Sequence, residues 1–245
     1  MTQYETEAIL LVVKNWGEAD KMVTFFSREH GKVTAIAYGA RRPKSRLAGG
    51  MQAFMHIDVA LMPGKNLDSI KQYECKNSFR LIREDLTCMA YGLFIAELVA
   101  ELCPERQPEP LVFDLLLDIF TLISARNPRL VALAGAWQLL SMTGFLPEYK
   151  KCICCDQPLT TQAYFLASAG GLACCNCKMQ DSIEISMSAV DFLDILLSLD
   201  LQNPGHFKVT GMALLETEKM LAKYLMYHLD KPLRSLAFIK QITFK

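Results

Sequence analysis

Six of the nine cysteines in this 245-residue chain lie between positions 152 and 177. Four of these six form two C-x-x-C pairs, and eighteen residues separate one pair from the other. Two such pairs supply the four thiolates that surround one tetrahedral Zn²⁺ ion, with Zn–S bonds of about 2.3 Å. The candidate ligands are Cys152, Cys155, Cys174 and Cys177. The pattern therefore predicts a zinc ribbon.

Two other interpretations of these cysteines stay open. They are buried structural thiols, which would not be expected twice at the same spacing, and a redox-active C-x-x-C, which is typical of a helix N-terminus near a βαβ unit. Among zinc sites, a catalytic ion keeps a coordination position for water, whereas four cysteines close the shell. We therefore predict a structural Zn²⁺. Cys154 and Cys175 adjoin predicted ligands and could replace them, so the ligand register is open as well.

A basic stretch is the second feature that could do chemistry, since no acidic residue lies between positions 30 and 57. A glycine, two arginines and a proline follow a strand-like run there, which is typical of an exposed loop. Lysine and arginine in such a loop can contact phosphates, and a neighbouring ring can stack on an unpaired base. The candidate DNA-binding residues are Lys32, Tyr38, Arg41, Arg42, Lys44 and Arg46. The alternative is an ordinary solvated loop.

No motif points to a catalytic centre. The sequence contains no G-x-x-x-x-G-K-[ST] phosphate loop, and it also lacks H-E-x-x-H, G-x-S-x-G and G-x-G-x-x-G. We therefore predict a binding protein and not an enzyme.

The apolar pattern that must position these residues changes near residue 80. Before it, short apolar stretches alternate with turns that contain Gly or Pro, which predicts about five strands in a small barrel or sandwich. After it, apolar residues recur at three- and four-residue steps, which predicts helices. Asn127 before Pro128 predicts one helix start, and the spacing of Ser188 and Asp191 predicts another.

Composition and charge narrow the class of protein. Hydrophobic residues make up 51% of the chain, which excludes a disordered or fibrous protein. The net charge is zero, yet the first 80 residues hold twelve basic and eight acidic side chains, while residues 81–147 hold four and eight. No apolar run reaches the roughly 18 residues of a membrane helix, and Glu5 and Glu7 stand where a signal peptide would be basic. We expect a cytoplasmic protein.

These features together resemble the RecO family of bacterial recombination mediators. The run EAILLVVKNWGEADKMVTFFSREHGKVTAIAYGARRPKSRLAGGMQAF is similar to that family's opening pattern, with its Gly-Glu-Ala/Ser-Asp turn, G-K/R hairpin and G-A-R/K-R segment. The paired C-x-x-C motifs resemble the family's zinc motif, and YHLDKPLRSLAFI resembles its closing helix signature. The resemblance covers nearly the whole chain.

The resemblance implies an α+β fold, in which an N-terminal OB-fold β-barrel over residues 1–80 precedes an α-helical domain over residues 81–245. A four-cysteine zinc-ribbon insert would occupy about 150–180. The implied function is DNA repair: binding single- and double-stranded DNA, annealing complementary strands and, with RecR, promoting RecA loading onto DNA coated by single-strand-binding protein. The implied location is the cytoplasm, on the nucleoid and away from membranes. The competing hypotheses are a zinc-ribbon protein-interaction scaffold with an incidental basic loop, and a zinc-dependent enzyme acting on nucleic acid.

Overall fold

The computed structural model describes residues 2–48, 50–205 and 207–243. Contacts divide the chain into two compact units, one formed by Met1–Ala132 with Ala237–Lys245 and the other by Leu133–Leu236. The boundary that the sequence predicts at residue 80 falls inside the first unit, at the start of its first helix.

The first unit begins with a closed five-stranded barrel. Its strands are β1 (Tyr4–Trp16), β2 (Asp20–Ser27), β3 (Gly31–Ala37), β4 (His56–Met62) and β5 (Asp68–Asn77). The strand order is β1-β2-β3-β5-β4, with β4 also paired to β1. All pairs are antiparallel except β3 with β5. This is the five-stranded closed barrel of an OB-fold, so the predicted fold class is confirmed.

Strict alternation along the strands fills the barrel. Val23 and Phe25 on β2, and Val33 and Ala35 on β3, are fully buried in the barrel core. The residues between them point outward because successive strand side chains face opposite sides. On β1 the pairing register shifts between Leu10 and Val12, where a bulge adds a residue. Such a bulge reverses the inward and outward positions of the residues that follow it.

Gly31, at the hairpin between β2 and β3, is required for two separate reasons. Its φ of 64° lies in the left-handed region that favours glycine, as the sequence predicts for this turn. In addition, a Cβ placed there would lie 1.9 Å from the carbonyl oxygen of Gln107. The segment around residue 106 packs directly on the hairpin, since the Arg106 N–H donates to the Lys32 carbonyl at 2.9 Å.

Changing Gly31 to Ala is expected to lower the free energy of unfolding by about 3 kcal/mol, because a left-handed backbone and a backbone overlap both penalise the added methyl group. Gly17→Ala is the matched control: its φ is 54°, but no atom of the described residues lies within 4 Å of its Cβ position, so only the backbone cost of about 1 kcal/mol applies. Urea denaturation of both variants measures the difference. Equal losses would contradict the close approach of Gln107.

Helices follow the barrel in the first unit. They are α1 (Arg80–Glu84), α2 (Leu86–Leu102) and α3 (Pro110–Leu122), and α4 (Pro128–Met142) continues into the second unit. The Asp85 carboxylate caps α2 by accepting from the Cys88 N–H at 2.7 Å. The predicted cap of α4 is confirmed, because Asn127 Oδ1 accepts from the N–H groups of Arg129 and Leu130 at 3.0 and 3.3 Å.

A single carboxylate joins three strands of the barrel to one of these helices. Glu7 on β1 accepts hydrogen bonds from Arg28 Nε and Lys76 Nζ, both at 2.8 Å, and His56 Nε2 lies at the same distance. Arg28 also donates from Nη2 to Asp114 on α3 at 2.6 Å. Burial raises the pKa of Glu7, but hydrogen bonds from Lys76, Arg28 and His56 outweigh it and lower the value from 4.5 to about 2. The ionised carboxylate therefore stabilises the folded unit.

Because the folded pKa lies below the unfolded value, this stabilisation is complete above about pH 4.5 and is lost as the pH falls through 2. Allowing for its partial solvent exposure, Glu7→Gln is expected to cost about 2 kcal/mol at pH 7. The cost relative to the native chain should shrink between pH 5 and pH 3. Urea titrations across that range measure it, with the exposed Glu5→Gln as control. A cost that does not change with pH would contradict the role of the charge.

The second unit contains a three-stranded sheet and further helices. The elements are β6 (Gln162–Leu166), β7 (Gly171–Ala173), β8 (Ile183–Ser186), α5 (Met187–Ser198), α6 (Gly211–His228) and α7 (Arg234–Thr243), which ends in the first unit. The prediction of a cap at Ser188 is wrong. Strand β8 ends at Ser186, whose Oγ accepts from the Ala189 N–H, so the helix begins two residues earlier. None of the described helices is long and apolar enough to cross a membrane.

Candidate metal centre and nucleic-acid interface

The four predicted ligands come together in the second unit. The Sγ atoms of Cys152, Cys155, Cys174 and Cys177 all lie within 4.8 Å of one another. Those of Cys155 and Cys174 are 3.8 Å apart. Four sulfurs at about 2.3 Å from a tetrahedral centre lie about 3.8 Å from each other, so this donor set has the dimensions of a thiolate metal site. The four cysteines can hold a metal ion.

Local backbone geometry produces this arrangement. Each C-x-x-C pair forms a tight turn, closed by hydrogen bonds from the Asp156 N–H to the Cys152 carbonyl at 2.9 Å and from the Cys177 N–H to the Cys174 carbonyl at 3.0 Å. Asp156 has a left-handed φ of 58°, and its carboxylate pairs with Lys151 Nζ at 2.5 Å. Aspartate is among the residues that tolerate this conformation, so the first turn closes without glycine.

The hairpin between the two pairs brings the second turn onto the first. Strands β6 and β7 are joined by a turn at Gly170, whose φ is 72°. The Ile153 N–H donates to the Leu172 carbonyl at 2.8 Å, which ties the first turn to β7. Cys174 follows directly after β7, whose last residue, Ala173, pairs with Tyr164 on β6.

The pKa of one thiol in the cluster is lowered, which favours its ionised form. Burial raises the pKa of Cys152, but N–H groups of Cys174, Cys154 and Cys155 point at its sulfur and lower the value to about 6. The Cys174 N–H lies 3.3 Å from that sulfur. Hydrogen bonds with Cys174 and Cys155 instead raise the pKa of Cys177. A metal ion that binds here must therefore displace protons from the cluster.

The two remaining cysteines of the stretch, Cys154 and Cys175, are exposed to solvent. Among the described residues, neither belongs to the group of thiols that could hold a metal ion. The structure thus favours the register in which the C-x-x-C pairs supply the ligands.

The basic loop leaves the first unit's barrel at the end of β3. The side chains of Arg41, Arg42, Lys44 and Arg46 are all exposed there. Ala40 and Leu47, in contrast, are buried in the barrel core and anchor the loop. The Arg41 N–H donates to the Ala19 carbonyl at 2.9 Å, and Arg41 Nη1 donates to the Gly17 carbonyl at 3.1 Å. The loop is therefore fixed against the turn between β1 and β2 while its charges face solvent.

A cleft of about 580 Å³ lies beside this loop. It is lined by Arg41 and Arg42 together with Asn15, Lys21, Ala40, Pro43 and Ala48. Lys21 is held in place because its Nζ donates to the Met51 carbonyl at 2.9 Å. The end of the barrel thus presents a concave surface with positive charge on its walls.

Comparison with known proteins identifies the family. The family model described as Recombination protein O N terminal matches residues 1–79, and the model described as Recombination protein O C terminal matches residues 83–237. The chain belongs to the RecO family. The DNA repair protein RecO of Pelotomaculum thermopropionicum is 33% identical over 241 residues, which cover 98% of this chain and 94% of that protein. The DNA repair protein RecO of Symbiobacterium thermophilum is 34% identical over 246 residues, covering 98% and 97%.

Lys32 lies apart from the other basic candidates of this RecO-family chain. It stands at the start of β3, whereas the loop leaves from the end of that strand, roughly 17 Å away. Its side chain is only 14% exposed, and its Nζ donates to the Ala100 carbonyl at 2.5 Å and lies 3.6 Å from Glu105 Oε1. A phosphate contact by Lys32 would require these bonds to break.

Sequence analysis missed three residues at the barrel end that carries the basic loop. Lys14 and Trp16 are exposed near the end of β1, and Lys21 lines the cleft. All three lie in the run KNWGEADK. Its two acidic residues balance its two lysines, so the run does not appear basic in the sequence. Lys21 lines the same cleft as Arg41 and Arg42 because the loop is bonded to Gly17 and Ala19.

The barrel carries a second cleft of opposite charge. It measures about 640 Å³ and is lined by the carboxylates Glu5, Glu7, Glu29, Asp58 and Glu74, among other residues. Its described lining residues come from β1, β4, β5 and the β2–β3 hairpin, and none of them belongs to the basic loop. Arg28 and Lys76 pair with Glu7, and Lys76 also lies 3.4 Å from Asp58, so part of this negative charge is compensated. Acidic side chains still predominate on this face, whereas the charged side chains of the basic loop are all cationic.

Proposed function

We propose that this RecO-family chain binds single- and double-stranded DNA at the barrel end formed by the basic loop, and that it anneals complementary strands. With RecR, it would promote RecA loading onto DNA coated by single-strand-binding protein. We further propose that the metal held by the four cysteines is Zn²⁺ with a structural role. The proposal assigns no chemical step to the protein.

The observation that carries the DNA proposal is that the basic loop exposes charged side chains while its backbone is held in place. Four cationic side chains project from a loop whose backbone is bonded to the neighbouring turn and whose apolar residues are buried in the barrel. Cations presented in this way neutralise phosphates without the cost of ordering a flexible segment on binding. Membership of a family of DNA repair proteins supports the same proposal.

The zinc proposal follows from the donor set. Four thiolates form a soft, closed tetrahedral shell that suits Zn²⁺ and leaves no position for a reacting water. When bound, the ion would cross-link the two turns at 152–155 and 174–177. The short β6–β7 hairpin then depends on the metal for its stability, since binding and folding are coupled in such small modules.

Annealing follows from charge neutralisation. Two DNA strands repel each other through their phosphates, and a strand held on the loop has part of that charge compensated. The bases of the bound strand remain free to pair because cations contact only its backbone. After a duplex forms, its phosphates either keep their contacts to the same cations or are replaced there by the phosphates of another strand. These contacts do not depend on the DNA sequence.

A strand-annealing assay tests this proposal. The native chain should accelerate pairing of two complementary oligonucleotides, and a variant with Arg41, Arg42, Lys44 and Arg46 changed to Ala should lose most of the acceleration. Circular dichroism melting checks that the variant is folded. A folded native chain that leaves annealing at its spontaneous rate and binds no DNA would instead favour the protein-interaction scaffold.

A further inference from the structure

Two large aromatic side chains are exposed at the same end of the barrel. Trp16, the last residue of β1, is 51% exposed, and Tyr38, the residue after β3, is 62% exposed. Aromatic rings are normally buried in a protein of this size, since each ring contributes a large apolar area. The second tryptophan of the chain, Trp137, follows that rule and is fully buried.

Strand register places Trp16 on the outer face of the barrel, and Tyr38 is exposed where β3 ends. Ala37, the last residue of β3, belongs to the barrel core. Tyr38 follows it in a turn closed by the Ala40 N–H donating to the Ala37 carbonyl, and its side chain is exposed. Val13 packs against the core from β1, after the bulge, and by alternation Lys14 and Trp16 point outward. Without the bulge between Leu10 and Val12, Trp16 would face the barrel interior.

The same register puts the two rings level with each other. Trp16 pairs with Asp20 on β2, and Lys21 pairs with Ala37 on β3. Tyr38 follows Ala37, and the next residue, Gly39, donates its N–H to the Asp20 carboxylate, so Tyr38 lies beside Asp20. Trp16 and Tyr38 are thus two strand spacings apart, roughly 10 Å between Cα atoms.

The position of Tyr38 is fixed by the residue between the rings. Asp20 Oδ1 accepts from the Gly39 N–H at 2.7 Å, directly after the tyrosine. The loop is bonded again at Arg41, to Ala19 and Gly17. Hydrogen bonds therefore hold the backbone that carries the two rings, and this backbone lies next to the basic loop.

We propose that Trp16 and Tyr38 form a stacking platform for unpaired bases, which makes the barrel end bind single strands more tightly than duplex. This inference rests on the DNA binding proposed above and names the side chains that select the strand form. Each stacked base contributes about 1–3 kcal/mol irrespective of its identity. In a duplex the bases are already stacked on one another, so only the phosphate contacts of the loop remain.

Affinity measurements with truncated rings test the platform. Trp16→Ala and Tyr38→Ala should each weaken binding of an oligo(dT) strand by roughly 5- to 150-fold, while binding of a duplex of equal length changes less than about 2-fold. The salt dependence should not change, since neither side chain carries charge. Tyr227→Ala is the matched control, because Tyr227 on α6 is 59% exposed but belongs to the second unit.

Tryptophan emission gives a second measurement that reports on the ring directly. Oligo(dT) should quench the fluorescence of the native chain through Trp16, with Trp137 as a constant background. Trp16→Phe should retain binding by fluorescence anisotropy of a labelled strand and lose the quenching.

The outcomes separate this inference from the proposed function. Equal losses for single strand and duplex, or salt-sensitive DNA binding with no effect of either truncation, would overturn the platform and leave the proposed function standing. Absence of binding to either form of DNA would overturn both.

Discussion

Replacing Cys174 by serine is expected to abolish stoichiometric zinc binding and to unfold the β6–β7 hairpin. The serine hydroxyl is a poor ligand for Zn²⁺, and the loss of one thiolate opens a shell whose four sulfurs otherwise fit the ion. The free energy of zinc binding in such modules is on the order of 10 kcal/mol, so little of the local structure should survive its loss. Metal analysis of the purified protein and limited proteolysis of residues 150–180 measure the two effects.

Cys175→Ser is the matched control for that experiment. Cys175 is the next residue along the same turn, but it is exposed and lies outside the four-sulfur group. The control should retain one zinc ion per chain and the native proteolysis pattern. Zinc loss in Cys175→Ser with retention in Cys174→Ser would assign the ligands to the other register. Equal retention in both would contradict the zinc site.

Removing the positive charge of the basic loop is expected to weaken single-strand binding about 100-fold at about 150 mM salt. The variant changes Arg41, Arg42, Lys44 and Arg46 to Ala. Each phosphate contact releases about 0.7 counterions from a single strand, which favours binding. The variant loses four such contacts and therefore this contribution to affinity. The side chains are exposed, so the melting temperature should stay close to that of the native chain.

A charge-matched control separates a local interface from general electrostatic attraction. Arg80 and Arg126 are also exposed but lie among the helices of the first unit. Changing both to Ala should alter single-strand affinity less than about 3-fold, whereas Arg41→Ala with Arg42→Ala should lower it about 10-fold. Equal effects of the two pairs would show that net charge, and not the loop, determines affinity.

The parts of this protein that the sequence predicts are those encoded by local spacing. The candidate ligands Cys152 and Cys177 are found from C-x-x-C pairs because tetrahedral coordination demands closely spaced donors. Barrel strands are found from alternation and from the glycine of a tight turn, as at Gly31. The cap at Asn127 is found because a side-chain oxygen before a proline has one preferred role.

The parts that sequence reasoning missed depend on contacts between distant residues. In the sequence, Lys32 resembles the other cations of the basic loop. In the structure it pairs with Glu105, which lies far along the chain. Trp16 becomes an exposed neighbour of Tyr38 only through a bulge in β1 and the pairing of three strands. No local pattern marks such a bulge, and a one-residue change in register reverses which side chains face solvent.

The salt dependence of single-strand binding tests the central claim most directly. The logarithm of the association constant, plotted against the logarithm of salt concentration between about 50 and 200 mM, gives a slope that counts phosphate contacts. We expect a steep negative slope for the native chain. The variant lacking the charges of Arg41, Arg42, Lys44 and Arg46 should be shallower by about 3, which corresponds to four lost contacts. An identical slope in both proteins would place the DNA elsewhere and contradict the assignment of the basic loop.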